Sequence, residues 1–215
     1  MNADEVGAGD PAAETAANYD AAAADRLAGY LEPSRLADVR RTFLRRLAAG
    51  SRIADVGCGP GRDVAAFKAA GYQAMGFDRS SRFVAIANRI GNGPVILADM
   101  RRLPLPSASV DAVWCAGALV HLPRREAPTV LAEFRRVTRD GGLLCLIVKQ
   151  GSDEYWRPGP DGTRSFVAPH QHAALDALLD AAGYDVIQRR TRHDKSSGPR
   201  LEWLARARPS TALTT

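Results

Sequence analysis

The chain has 215 residues, 46% of them hydrophobic, which at ~150 residues per domain suits a single domain with one large core. No run approaches the ~18 uninterrupted apolar residues of a spanning helix. The net charge of +5 and a pI near 9.4 leave a nucleic-acid partner open, but the arginines are scattered doublets rather than one basic block. Residues 1–14 are acidic and rich in Ala and Gly, and read as a disordered lead-in rather than a secretory signal, which needs a basic start and an apolar run. The cysteines, Cys58, Cys115 and Cys145, are odd in number and unpaired in spacing, which argues against a disulfide framework or a zinc site and for a reducing, cytoplasmic setting.

In chain order, an Ala-rich helix is expected from Tyr19 to Leu31, and a second over residues 33–49, where Leu36, Val39, Phe43, Leu44 and Leu47 recur at helical spacing. A strand–helix rhythm follows: strands at 51–56, 72–77, 94–98 and 110–115, with helices at 62–70, 81–90 and 124–138. Leu143–Val148 is an unbroken apolar strand of the kind buried on both faces. This alternation predicts an α/β, doubly wound, mostly parallel sheet. After a helix at 170–182, strands at 184–190 and 200–207 are too close together for a parallel crossover, so they should form a terminal antiparallel hairpin. Residues 15–208 read as one domain, with helices at 15–49, a turn-rich aromatic loop at 151–168 and a flexible tail at 209–215.

The segment Asp55-Val56-Gly57-Cys58-Gly59-Pro60-Gly61 follows a strand and opens a helix, the context in which a glycine loop carries meaning. Asp78 ends the next strand, where a carboxylate can accept from both hydroxyls of a ribose. Two nucleoside cofactors compete for this pattern. A dinucleotide loop reads G-x-G-x-x-G and faces a pyrophosphate, whereas here the spacing is G-x-G-x-G. Asp55 would repel a pyrophosphate and suit a ligand with an ammonium group.

Asp55-x-Gly57-x-Gly59-x-Gly61 closely resembles motif I of the class I methyltransferases that use S-adenosylmethionine (SAM), and Asp78 matches that family's ribose-binding acid. Ala98-Asp99-Met100 looks like its adenine-contacting stretch, and Val110–Ala116, Leu119–Leu122 and Arg135–Leu144 resemble the segments around its fourth and fifth strands. The resemblance spans roughly residues 15–208 and is nearest to small, metal-free enzymes of quinone and natural-product methylation. It implies a Rossmann-like seven-stranded fold ending in a reversed strand, with SAM held by Tyr19, Asp55, Gly57, Cys58, Gly59, Gly61, Asp78, Arg79, Asp99, Met100, Cys115 and Ala116. A simpler role for Asp99 is a turn cap, and for Tyr19 an amphipathic contact.

His121 follows the fourth strand at the ligand-binding edge and is the first candidate for a general base, with Tyr155 and His170 behind it. Tyr19 or Trp156 would offer an aromatic face to the sulfonium. His170 and His172, two residues apart, do not share a helix face, so no metal pair is expected. Trp114-Cys115-Ala116 lacks the Asn/Asp-Pro-Pro-aromatic run of enzymes that methylate adenine amines, and Cys115 has no neighbouring proline as a pyrimidine nucleophile often would. With the arginine doublets read as polar helix faces, the expected acceptor is a small molecule, attacked through oxygen, nitrogen or carbon, and no membrane partner is expected. The competing readings are a non-catalytic SAM-binding regulator, an RNA or protein methyltransferase, and an NAD-dependent oxidoreductase.

Overall fold

The computed structural model describes residues 9–32, 36–194 and 198–210. Seven strands form one sheet: β1 (Arg52–Val56), β2 (Gln73–Asp78), β3 (Val95–Leu97), β4 (Val110–Ala116), β5 (Thr138–Lys149), β8 (Tyr184–Asp194) and β9 (Gly198–Ala207), in the spatial order β3-β2-β1-β4-β5-β9-β8. Every pairing from β3 to β5 is parallel, and β9 runs antiparallel to both β5 and β8. The reversed strand and the terminal hairpin stand as the sequence predicts. A separate antiparallel hairpin, β6 (Tyr155–Pro158) with β7 (Arg164–Val167), occupies the region expected as a loop at 151–168.

The helices are α1 (Pro11–Ala21), α2 (Ala23–Leu31), α3 (Ala37–Leu44), α4 (Arg62–Ala69), α5 (Ser81–Arg89), α6 (Ala127–Val137) and α7 (His172–Ala181). Period-2 alternation sends successive strand residues to two cores. On β5, Leu144, Leu146 and Val148 join the core under α6 and α7, while Leu143, Cys145 and Ile147 join the core that includes Phe43 of α3, Phe67 of α4 and Trp114 of β4. A strand covered on both faces must be apolar throughout, which is why 143–148 carries no polar residue.

Three expectations need correction. The lead-in assigned to residues 1–14 is already helical from Pro11, because the Asp10 side chain accepts the Ala12 N–H at 3.0 Å and proline suits the first helical turn. Residues 1–8 lie outside the described residues, as do 211–215 of the tail and Ser196 and Ser197 of the terminal hairpin. The single helix expected from Tyr19 to Leu31 is two helices, broken at Ala22 (φ −94, ψ 4). The helix expected over 33–49 is described only as Ala37–Leu44, and its expected start at 33–35 is outside the described residues.

Among the described residues no helix is long and apolar enough to cross a membrane.

Candidate active site

The carboxyl ends of β1, β2 and β4 open onto a cavity of 530 Å³, roofed by α1 and walled by the β6–β7 hairpin. Parallel sheets bind ligands where neighbouring strands send their connections to opposite faces, here between β1 and β4. α1 is tied down on the hairpin side, where Thr15 Oγ1 accepts the Phe166 N–H at 2.9 Å and Ser165 Oγ donates to Asn18 Oδ1 at 2.9 Å. On the α5 side Asp20 accepts the Arg82 N–H at 3.0 Å.

The glycine loop turns from β1 into α4. Gly57 sits at φ +74, and a Cβ there would lie 2.0 Å from the Ala118 Cβ; Gly61 sits at φ +80 against Asn92. Neither position admits a side chain without moving the loop after β4 or the end of α5. The loop's amides are spent inside the protein: Gly57 and Cys58 donate to the Phe77 carbonyl at 2.7 and 3.2 Å, Gly59 to Asp78 Oδ2 at 2.7 Å, and Gly61 to Cys58 at 3.2 Å. These four loop amides are therefore already paired within the chain.

Asp55, at the end of β1, is 2% exposed and lines the cavity, and its Oδ2 is buried with no hydrogen-bond partner. Burial pushes its carboxyl well above the usual range, with the Asp63 carboxylate adding to the effect. An orphaned carboxylate oxygen facing a cavity calls for a donor from outside the chain. Asp78 is likewise raised by burial, against the Gly59 and Ser80 amides that bond its charged form. Asp78→Ala is expected to weaken SAM binding by about 1.5–3 kcal/mol, measured by calorimetric titration.

Tyr19, Cys58, Arg79, Asp99, Met100, Ala116, His121 and Tyr155 also line the cavity. Gly61, Cys115 and His170 do not. Gly61 shapes the entry to α4, and Cys115 is fully buried in the core under α6, where burial raises its thiol to about 12. His170 is 1% exposed beside β5, with its N–H donating to the Lys149 carbonyl at 2.9 Å. Trp156 also fails its expected role, because strand alternation turns it away from the cavity: it packs edge-on to Phe166 at 5.2 Å and under the Arg164 guanidinium at 3.9 Å.

Asp99 does not offer a free carboxylate to an adenine amine. Arg101 grips it (Nη2 to Oδ2 2.6 Å), Arg79 pairs with it at 3.2 Å, and both arginines also bind Asp10 at 2.8 Å. Burial alone would raise the Asp99 carboxyl, but the Arg101 hydrogen bonds hold it below its ordinary value. This network fastens the start of α1 to the end of β3.

His121 is held from both sides. Its Nδ1 lies 2.8 Å from the Phe166 carbonyl, which can only accept, so Nδ1 carries the proton and Nε2 accepts from the Tyr19 hydroxyl at 2.8 Å. Burial, with the Arg157 cation nearby and the Phe166 carbonyl opposing, lowers its pKa to about 4. It is therefore neutral at physiological pH.

The arginine doublets conceal functional pairs that a surface reading misses. Arg40 is buried and joins Arg62 in an ion pair with Asp63, the Arg62 contact being 2.6 Å, and the Trp114 indole donates to the same carboxylate at 3.2 Å. Other cavity residues not assigned to the site from the sequence include Tyr30 and Phe83, ring centroids 5.3 Å apart and both beside Tyr19, and the cations Lys149, Arg157 and Arg200. No cluster that could hold a metal ion occurs among the described residues.

Residues 54–146 match the family model of a methyltransferase domain. The chain is 28% identical over 156 residues to the methyltransferase GfsG of Streptomyces halstedii, covering 66% of this chain and 55% of that protein. It is 34% identical over 130 residues to the 27-O-demethylrifamycin SV methyltransferase of Amycolatopsis mediterranei, covering 57% of this chain and 42% of the relative. The chain thus spans about half the length of these curated relatives. In fold it is similar to the Burkholderia thailandensis 1,6-didemethyltoxoflavin-N1-methyltransferase, solved with its substrate and S-adenosylhomocysteine (TM-score 0.74, 19% identity, 92% of this chain and 88% of that one). Residues 54–146 are thus similar to a methyltransferase domain, set in a fold shared with solved methyltransferases and carrying a buried, unpartnered carboxylate oxygen at the end of β1.

Proposed function

We propose that the chain transfers the methyl group of SAM to an oxygen, nitrogen or carbon nucleophile of a small molecule. The observation that carries this reading is the unpartnered Asp55 Oδ2, buried in a cavity that continues to His121 and Tyr155. Asp55 accepts from the ammonium of the cofactor and Asp78 from its ribose hydroxyls. Met100 packs against the adenine, and Tyr19 closes the cavity from α1. Bound SAM supplies a methyl group on a sulfonium, already a strong electrophile, so alignment and exclusion of water are the protein's main contributions. The cavity, at 530 Å³ and lined in part by α1 and the β6–β7 hairpin, lies within the about 300–1,000 Å³ of small-molecule sites, which supports an acceptor of that size. The natural-product substrates in the names of the rifamycin and toxoflavin relatives support the same acceptor class.

For a protonated acceptor, the Tyr19 hydroxyl takes the acceptor's proton as it passes its own to His121 Nε2. Two results are expected. Tyr19→Phe removes this proton acceptor and slows the step by about 10²–10⁴-fold, read as kcat at saturating SAM. The same kcat stays level on acidification from neutrality and falls only as the pH approaches about 4, where the imidazole is protonated before it can accept.

The reading is tested by incubating the chain with methyl-labelled SAM and a metabolite extract, then locating the label by mass spectrometry. Label in a small molecule is expected. Label in RNA or protein would overturn the acceptor class, and SAM binding with no transfer would favour a regulator.

A further inference from the structure

Two of the cations lining the cavity, Arg62 and Arg79, are paired with carboxylates, Asp63 for the first and Asp10 and Asp99 for the second. The carboxylates Asp55, Asp78 and Asp99 belong to the ends of β1, β2 and β3, whereas Lys149, Arg157 and Arg200 belong to β5, β6 and β9. Lys149 and Arg200 face each other in register across β5 and β9, and Arg200 in turn faces Arg192 on β8. Three cations in one row across a sheet repel one another unless anions intervene. Glu202 serves two of them, bonding Arg200 at 3.0 Å and Arg192 at 3.5 Å, and Asp38 also pairs with Arg192. Among the described residues no carboxylate pairs with Lys149, whose ammonium donates to the Tyr155 hydroxyl at 3.0 Å and lies 5.7 Å from that ring's centroid.

Arg157 is two residues beyond Tyr155 on β6, so both side chains leave the same face of the hairpin, the one that lines the cavity. The Arg157 guanidinium has no ion pair or hydrogen bond among the described residues. Its charge reaches His121, whose protonation it opposes. Lys149 and Arg157 thus flank Tyr155 at the acceptor end with two positive charges and, among the described residues, no carboxylate paired with either.

We infer that the acceptor carries an anionic oxygen group, a carboxylate or a phosphate, bound by Lys149 and Arg157 with the Tyr155 hydroxyl between them. This rests on the methyltransferase reading and adds the substrate's charge to it. Arg157 offers the planar fork that carboxylate and phosphate oxygens match, and Lys149 a point charge on the opposite side. Docking there places the rest of a small acceptor beside Tyr19 and His121.

The test uses the full chain saturated with S-adenosylhomocysteine and three probes titrated calorimetrically: benzoate, inorganic phosphate and uncharged phenol. At least one anion is expected to bind saturably in the millimolar range, phenol to bind more weakly, and Lys149→Gln and Arg157→Gln each to weaken the anion about tenfold. Arg89→Gln removes the same charge from an exposed site on α5 and should leave binding unchanged. Binding of benzoate alone identifies a carboxylate, and of phosphate alone a phosphate ester. Absence of saturable anion binding, equal affinity for phenol, or wild-type affinity in both cavity variants would overturn the inference. Failure of S-adenosylhomocysteine to bind would instead undo the methyltransferase reading, since the anion titrations can be repeated on the free protein.

Discussion

Asp55→Asn is expected to weaken SAM binding by about 2–5 kcal/mol while making the free protein more stable. The first effect follows from removing one partner of a buried charge pair, which leaves the ligand's ammonium without its counter-charge. The second follows from the present state of Asp55, whose Oδ2 is buried with no donor. Burial raises its folded-state pKa well above 3.8, so the folded chain keeps the proton over a pH range in which the unfolded chain has already released it. Unfolding free energy therefore falls as pH rises through that range, and the deficit is complete above the folded-state pKa. Asparagine does not ionise and removes the deficit, worth about 1–3 kcal/mol for an unsatisfied buried group. At this chain length each kcal/mol moves Tm by about 2–4 °C. A thermal scan at neutral pH should show Asp55→Asn melting above wild type without ligand and below it with saturating SAM. By the same linkage, wild-type SAM affinity should decline as the pH falls through the raised folded-state pKa of Asp55, since the protonated carboxyl must be ionised before it can bind an ammonium.

Asp63→Ala is expected to cost about 3–5 kcal/mol of stability, measured by urea unfolding. The Asp63 carboxylate is buried between Arg40 and Arg62 and also accepts the Trp114 indole N–H. Its removal takes the shared carboxylate from two guanidinium groups, the Arg40 group almost wholly buried, and from the Trp114 indole N–H beneath α3 and α4. Asp63→Asn keeps the shape and an acceptor oxygen but not the charge, so it should fall between alanine and wild type. Because this cluster adjoins the glycine loop, Asp63→Ala should also weaken SAM binding, though less than Asp55→Asn does.

Most of the sheet was legible in the sequence because its signals are local. The apolar run at 143–148, the alternation of strand and helix lengths, and the short link between β8 and β9 each follow from patterns a few residues long. The motif residues Asp55, Gly57, Gly59 and Asp78 were legible for the same reason, since a strand–loop–helix segment fixes their neighbours. What could not be read depends on which distant side chains meet. Arg40 sits in a doublet whose other member, Arg41, is exposed, and nothing near it signals that Asp63, on another helix, will bury it. Asp99 lines the cavity as its place after β3 implies, but its pairing with Arg101, and with Asp10 through that arginine, depends on residues far apart in the chain and has no local signal.

The 151–168 segment shows an intermediate case. Its composition marked it as a pocket loop, but choosing between Trp156 and its neighbours required knowing that it forms a hairpin. Once paired, Tyr155 and Arg157 share the cavity side and Trp156 turns away. A surface hairpin with one buried Trp is the alternative reading of this turn-rich segment, and the strands on either side of Gly159-Pro160-Asp161-Gly162 bear out the hairpin.

The most direct test compares S-adenosylhomocysteine with 5′-methylthioadenosine, which keeps the nucleoside and lacks the ammonium-bearing end, by titration into wild type and Asp55→Asn. Wild type should prefer S-adenosylhomocysteine strongly, and the preference should collapse in the variant while 5′-methylthioadenosine binds both alike. Equal binding of the two ligands by wild type, or a preference that survives Asp55→Asn, would contradict the assignment of this cavity.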